Sequence, residues 1–222
     1  MVTCALFLDF DGLICDTERA ARCSWDEFYR EFGLAFPACL WQRMAGRSDG
    51  ESVAAADLSE QLGAPVTDVL LARRRRRKQA LCETEPLRPG VATLIAAATR
   101  NGLTLAVVSS SPLAWVRGHL ARLGVQDRFS LIVSGDDVAR GKPAPDLYQM
   151  ALQRTRLTAN KAIAFEDSPT GVRAAKAARL RCVAVPNAAG SAYGLRHADV
   201  VLGSLESYAL EADLLLMEGM PA

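Results

Sequence analysis

Five short runs of this chain are apolar almost throughout; four stop abruptly at polar residues and the fifth at a proline. Cys4 to Leu8 meets Asp9 and Asp11, and Leu103 to Val108 meets Ser109, Ser110 and Ser111. Leu131 to Val133 ends at Ser134, Ala162 to Phe165 at Glu166, Asp167 and Ser168, and Cys182 to Val185 at Pro186. A strand with one wet face would alternate, so continuous runs suit strands covered on both faces of a parallel sheet. Helix signals lie between them. Pro89, Pro112, Pro145 and Pro169 stand at or near first helical positions, where a missing N–H costs nothing. Ser111 and Ser168 are placed to cap the helices that follow them, and Asn101-Gly102 and Leu123-Gly124 close two others. Strand, polar end and helix, repeated about five times, predict an α/β fold with a Rossmann-like, doubly wound parallel sheet.

Residues 17–84 break that rhythm. Trp25, Phe28, Tyr29 and Phe32, then Val66, Val69 and Leu70, recur at helical spacing, with no convincing strand among them. Because one strand precedes this block and another follows, it reads as an inserted α-helical cap (17–84) on a core of residues 1–16 and 85–222. A chain of 222 residues can bury a core without disulfides or a structural metal. Cys4, Cys15, Cys23, Cys39, Cys82 and Cys182 show no CxxC spacing and read as reduced thiols, so the expected location is cytoplasmic. No apolar run of membrane-spanning length occurs, and the apolar N-terminus lacks a basic flank, so neither a membrane nor a leader is expected. The 26 Lys and Arg against 25 Asp and Glu argue against an overall basic nucleic-acid binder.

In an open parallel sheet, ligands bind beyond the carboxyl ends of the strands. The residues there are Asp9, Asp11, Ser109 to Ser111, Glu166 and Asp167, with Gly141-Lys142-Pro143 ahead of a later helix. Carboxylates converging on one edge repel one another unless a cation stands between them. Oxygen ligands without paired His or Cys point to Mg²⁺, and a Lys with hydroxyls beside it completes an anion site, most naturally for phosphate.

Asp9-Phe10-Asp11-Gly12, Ser109, Lys142-Pro143 and Glu166-Asp167-Ser168 with Gly171 resemble, in order and spacing, the four motifs of the haloacid dehalogenase superfamily. The phrase Gly12 to Glu18 narrows the resemblance to the branch of β-phosphoglucomutase-like proteins and sugar-phosphate phosphatases. The resemblance implies Asp9 as nucleophile, Asp11 as acid and base, and Ser109 and Lys142 as further catalytic groups. It also implies Gly12, the Ser110 amide and Arg47 near the substrate. For Mg²⁺ it implies Asp9, Asp11 through its carbonyl, Asp167, and Glu166 either as a ligand or behind one. The function this favours is Mg²⁺-dependent hydrolysis of a small phosphorylated metabolite, a sugar or cyclitol phosphate, by a monomer through an aspartyl-phosphate.

The alternative within the family is a phosphosugar mutase. In the resembling mutases a histidine follows the Asp-Thr segment, and the cap loop carries a lysine and an arginine. Here those places fall on Ala21, Ala45 and Asp49, which favours hydrolysis. From another class, Arg73 to Arg77 could serve a nucleic-acid or partner-binding module. Consecutive arginines on a helix face every direction, however, and a solvated cap helix is the expected reading, with substrate contact by one or two of them second. Asp16 reads as a helix start, and His119 and His197 as ordinary helix or loop residues.

Overall fold

The structure is a computed structural model and describes residues 3–44, 50–187 and 194–218. Strands β1 (Ala5–Leu8), β2 (Thr104–Val108), β3 (Leu131–Val133), β4 (Ala162–Glu166), β5 (Arg181–Ala184) and β6 (Val200–Val201) form one sheet. They lie in the order β3-β2-β1-β4-β5-β6, and every pairing is parallel. The five expected strands are all present. The sixth, β6, is a two-residue edge within the short apolar run Val200 to Leu202, which is not among the five expected strands.

Both faces of the sheet are covered, which is why its strands do not alternate. Leu6, Leu8, Leu105, Val107, Ile163 and Phe165 point to one side, into a cluster with Val91, Ile95, Val116 and Leu120. These last residues lie on α5 (Val91–Arg100) and α6 (Leu113–Arg122). Ala5, Phe7, Ala106, Val108, Ala164 and Cys182 point to the other side, against Leu147, Tyr148, Val172 and Ala175 of α7 (Asp146–Thr155) and α8 (Pro169–Ala177). Helix α9 (Leu210–Glu218) follows β6.

Helices α1 (Thr17–Glu31), α2 (Ala38–Met44), α3 (Gly50–Leu62) and α4 (Asp68–Thr84) are inserted between β1 and α5. They bury a cluster of their own, with Trp25, Phe28, Tyr29, Trp41 and Leu58 at its centre. Two short connections join this block to the sheet. Cys15 bridges to Leu87, and the Arg88 guanidinium donates to the carbonyls of Gly12, Val185 (3.4 Å) and Pro186 (3.0 Å). One arginine thereby ties the loop after β1 to the turn after β5.

Two of the three expected helix starts are capped by the expected residue. Asp16 starts α1 by accepting from the Arg19 amide (3.1 Å), and Ser168 starts α8 by accepting from the Gly171 amide (3.2 Å). Ser111, expected to cap α6, does not. That helix begins at Leu113 after an extended Pro112, and Asp136 Oδ2 accepts from the Leu113 amide at 2.8 Å. The offset of one residue releases the Ser111 hydroxyl to Asp11 instead.

Four of the five arginines in the run Arg73 to Arg77 are paired inside the helical block. Arg73 pairs with Glu31, Arg74 and Arg75 with Glu51, and Arg77 with Glu27, while Arg74 also lies 4.3 Å above the Trp25 ring. Among the described residues the six cysteines form no disulfide, and no helix is long and apolar enough to cross a membrane.

Candidate active site

The chain order of a doubly wound sheet brings β1, β2 and β4 together at its centre, so three polar strand ends share one crevice. Asp9 and Asp11 arrive from β1, Ser109 to Ser111 from β2, and Glu166 and Asp167 from β4. Lys142 reaches in from the segment before α7 and is buried. Its ammonium has three N–H donors and uses all of them. They go to Asp9 Oδ1 (2.5 Å), Glu166 Oε1 (2.6 Å) and the Val108 carbonyl (2.8 Å). Burial alone would lower the Lys142 pKa, but Asp9 and Glu166 more than reverse it and hold the amine charged.

Asp9, Glu166 and Asp167 each offer an oxygen within 4.8 Å of the others, and all three are buried. Without a counter-charge such a group is costly. Burial drives the Asp9 carboxyl up to about 8 against the pull of Lys142, with Glu166 and Asp11 adding to the rise. Burial together with Asp9 and Glu166 also pushes Asp167 well above the usual carboxylate range. One lysine does not balance three carboxylates. Glu166 Oε2 and Asn187 Oδ1 are buried with no partner. The donors are all hard oxygens, so the residues fit Mg²⁺.

Two glycines make room for this arrangement. Gly12 has φ +83°, and a Cβ there would lie 2.0 Å from Asp167 Oδ2 and 2.7 Å from Asn187 Nδ2. A Cβ at Gly171 would stand 1.8 Å from Glu166 Oε2. The close approach of backbone to carboxylate is therefore possible only where side chains are missing.

Asp11 does not join the acidic group. Its Oδ1 accepts from Thr17 Oγ1 (2.7 Å) and Trp115 Nε1 (3.0 Å), and its Oδ2 from Ser111 Oγ (2.6 Å) and Ser109 Oγ (3.3 Å). The Ser109 hydroxyl also accepts from the Ser111 amide at 3.0 Å, and Ser110 Oγ accepts from the Lys142 amide at 3.3 Å.

The sequence-predicted Asp9, Asp11, Gly12, Ser109, Ser110, Lys142, Glu166 and Asp167 thus converge on one edge. Arg47, expected near the substrate, lies outside the described residues, as do Ala45 and Asp49. Tyr148, Asn187, Thr17 and Trp115 were not foreseen. Tyr148 donates to Glu166 Oε1 at 2.6 Å, and the Asn187 amide to Asp167 Oδ2. Tyr148 carries the helical spacing of a core residue, and Asn187 follows a proline like any loop residue, so neither bore a local signal.

The profile of the haloacid dehalogenase-like hydrolases matches residues 6–185. This chain belongs to that family. YhcW of Bacillus subtilis is similar to it, 39% identical over 184 residues, or 82% of this chain and 83% of that protein. The validoxylamine A 7′-phosphate phosphatase of Streptomyces hygroscopicus subsp. limoneus is 30% identical over 211 residues, covering 92% of this chain and 95% of that one. Among solved structures, a mutant of CbbY from Rhodobacter sphaeroides in complex with xylulose-(1,5)bisphosphate superposes with TM-score 0.75 at 31% identity, over 93% of this chain and 96% of that one. The chain is an enzyme of the family's phosphatase branch, a phosphoric monoester hydrolase.

Proposed function

We propose that this enzyme hydrolyses a small sugar or cyclitol phosphate with Mg²⁺, through an aspartyl-phosphate on Asp9. The observation that carries this reading is the buried Lys142 held between Asp9 and Glu166, with Asp167 beside them. That pattern suits a nucleophile kept ready next to a bound phosphoryl group. The similarity to a validoxylamine A 7′-phosphate phosphatase and to a protein solved with xylulose-(1,5)bisphosphate supports the substrate class.

In the first step an Asp9 carboxylate oxygen bonds to phosphorus as the bond from phosphorus to the substrate's oxygen breaks. Asp11 gives the departing oxygen a proton. In the second step Asp11 takes a proton from water, whose oxygen attacks phosphorus, and Asp9 and inorganic phosphate are released. Lys142 offsets charge on Asp9 and the phosphoryl oxygens, while Ser109 and the Ser110 amide donate to the latter. Asp9, Asp167 and the Asp11 carbonyl would hold Mg²⁺, with Glu166 ligating it or bracing Lys142. When bound, the cation neutralises phosphoryl charge. The helical block 17–84 acts as the cap that excludes water.

A panel of sugar and cyclitol phosphates, scored for free phosphate with Mg²⁺ and with EDTA, tests this reading. Mg²⁺-dependent release from at least one member is expected, and no release from any would overturn it. β-Glucose 1-phosphate with a trace of the 1,6-bisphosphate separates hydrolysis from mutation. Glucose 6-phosphate forming much faster than free phosphate would replace the phosphatase with a mutase.

A further inference from the structure

Asp11 receives four donors, but they are not equivalent. Thr17, Ser109 and Ser111 contribute hydroxyls, which can rotate to donate or accept. Trp115 contributes an indole N–H, which can only donate. An acid passing its proton to a leaving oxygen must carry that proton on one of its two oxygens. Oδ1 faces an obligate donor at 3.0 Å, so a proton there would oppose the indole N–H. Among the described residues, the donors to Oδ2 are Ser109 and Ser111, whose hydroxyls can turn to accept. The proton therefore belongs on Oδ2, the oxygen next to Ser109 at the end of β2.

The indole is itself held from several sides. His119 packs edge-on against it, with ring centroids 4.3 Å apart, and Lys78 of α4 lies 5.3 Å from the ring centre. The ring is half-buried where the helical block meets the core. Among the described residues it is the aromatic side chain hydrogen-bonded to Asp11.

We propose that Trp115 is a positioning residue for the proton-transfer step, gripping Asp11 Oδ1 so that Oδ2 faces the leaving oxygen. This rests on the phosphatase reading, with Asp11 as its acid. The side chain does not touch substrate and acts only through Asp11.

The test turns on what a leaving group requires. An alkoxide needs a proton as it departs, whereas p-nitrophenolate is stable enough to leave without one. The quantity kcat/KM reports steps only through phosphoryl transfer to Asp9, before water is used. Trp115→Phe keeps a ring for His119 and Lys78 and deletes the N–H. For the sugar or cyclitol phosphate that the unaltered enzyme turns over fastest, kcat/KM should fall about tenfold or more, a share of what general acid catalysis contributes. For p-nitrophenyl phosphate it should fall less than about twofold. Equal losses on both esters, or a loss on neither, would overturn the proposal, because a merely structural role moves both alike.

A second measurement needs no change at Trp115. The chain has three tryptophans, and their indole N–H resonances can be followed by NMR. Asp11→Asn should shift one of them and leave the other two in place. Three unmoved signals would also overturn the proposal. Failure of the phosphatase reading shows differently: the unaltered enzyme would release phosphate from neither ester, and the role for Trp115 would fall with it.

Discussion

The Lys142 ammonium stands 2.5 Å from Asp9 Oδ1, although the two residues are 133 positions apart in the chain. Both are buried, and neither is easily kept charged without the other. The pair also has a third member, since Glu166 Oε1 stands 2.6 Å from the same ammonium. A lysine gripped twice cannot follow one partner away, so it holds Asp9 in place while offsetting part of its charge, as the proposed nucleophile requires.

Asp9→Asn keeps the shape of the nucleophile and removes its attacking charge. Its kcat should fall by about four orders of magnitude or more, the scale at which loss of a nucleophile is felt. The fold should survive, because Asn has the same shape and its introduction removes one of three buried carboxyls that repel one another, while Lys142 keeps Glu166 as a partner. Steady-state rates and thermal melts in EDTA check the two halves of this prediction. A variant keeping a tenth of wild-type kcat would show the nucleophile to be another residue.

Raised carboxyls also set a pH dependence for the metal-free protein. From about pH 4, where the unfolded chain releases the Asp9 proton, up to about pH 8, the native state holds more protons than the unfolded one. Stability therefore falls as pH rises through that window, and Asp167 adds in the same direction. Melts in EDTA should show wild type losing Tm relative to Asp9→Asn as pH climbs from about 5 to about 8. On the proposed site, Mg²⁺ would bind the deprotonated carboxylates, so the stabilisation it brings at saturation should be larger at the higher pH. Parallel curves for the two proteins in EDTA would refute this.

His119 acts with the opposite sign. Burial, with Arg122 next in effect, lowers its pKa below 6.5, beneath the rings of Phe10 (5.9 Å) and Trp115 (4.3 Å). As pH falls through 6.5 the unfolded chain takes up a proton that the native state still refuses, so stability is lost on the acid side. His119→Gln should flatten the decline in Tm below about pH 6.5. An unchanged acid limb would exclude His119 as its source.

Gly12→Ala should act on metal affinity. The new methyl carbon would lie 2.0 Å from Asp167 Oδ2, at φ +83°, where L residues carry strain of about 1–3 kcal/mol. Asp167 and Asn187 must then move. The Mg²⁺ concentration giving half-maximal activity should rise about tenfold or more, as when a ligand loses its supporting contacts. The Mg²⁺-induced gain in Tm should shrink in parallel. Normal Mg²⁺ dependence in a folded Gly12→Ala protein would count against Asp167 as a ligand.

The strands and their polar ends were legible in the sequence because both depend on local pattern. A run such as Ala162 to Phe165 must be covered on both faces, and a parallel sheet does that. Polar residues immediately after such runs then fall on one edge, which is how Asp9, Ser109, Glu166 and Asp167 could be grouped before any coordinates. Other features had no local mark. Tyr148 and Trp115 occupy ordinary helical positions on α7 and α6, and Asn187 is one loop residue among several. Their roles arise where Tyr148 of α7, a helix packed on β2 and β3, reaches Glu166 of β4, where Trp115 of α6 and Thr17 of α1 meet at Asp11, and where Arg88 pulls the turn after β5 towards Gly12. Ser111 makes the same point at closer range. Both a helix cap and a carboxylate partner were open to its hydroxyl, and the place of Asp11, 100 residues away in sequence, decided between them. Hydrogen bonds between side chains that distant depend on angles between elements. Those angles come from packing the two faces of the sheet, which no spacing along the chain encodes.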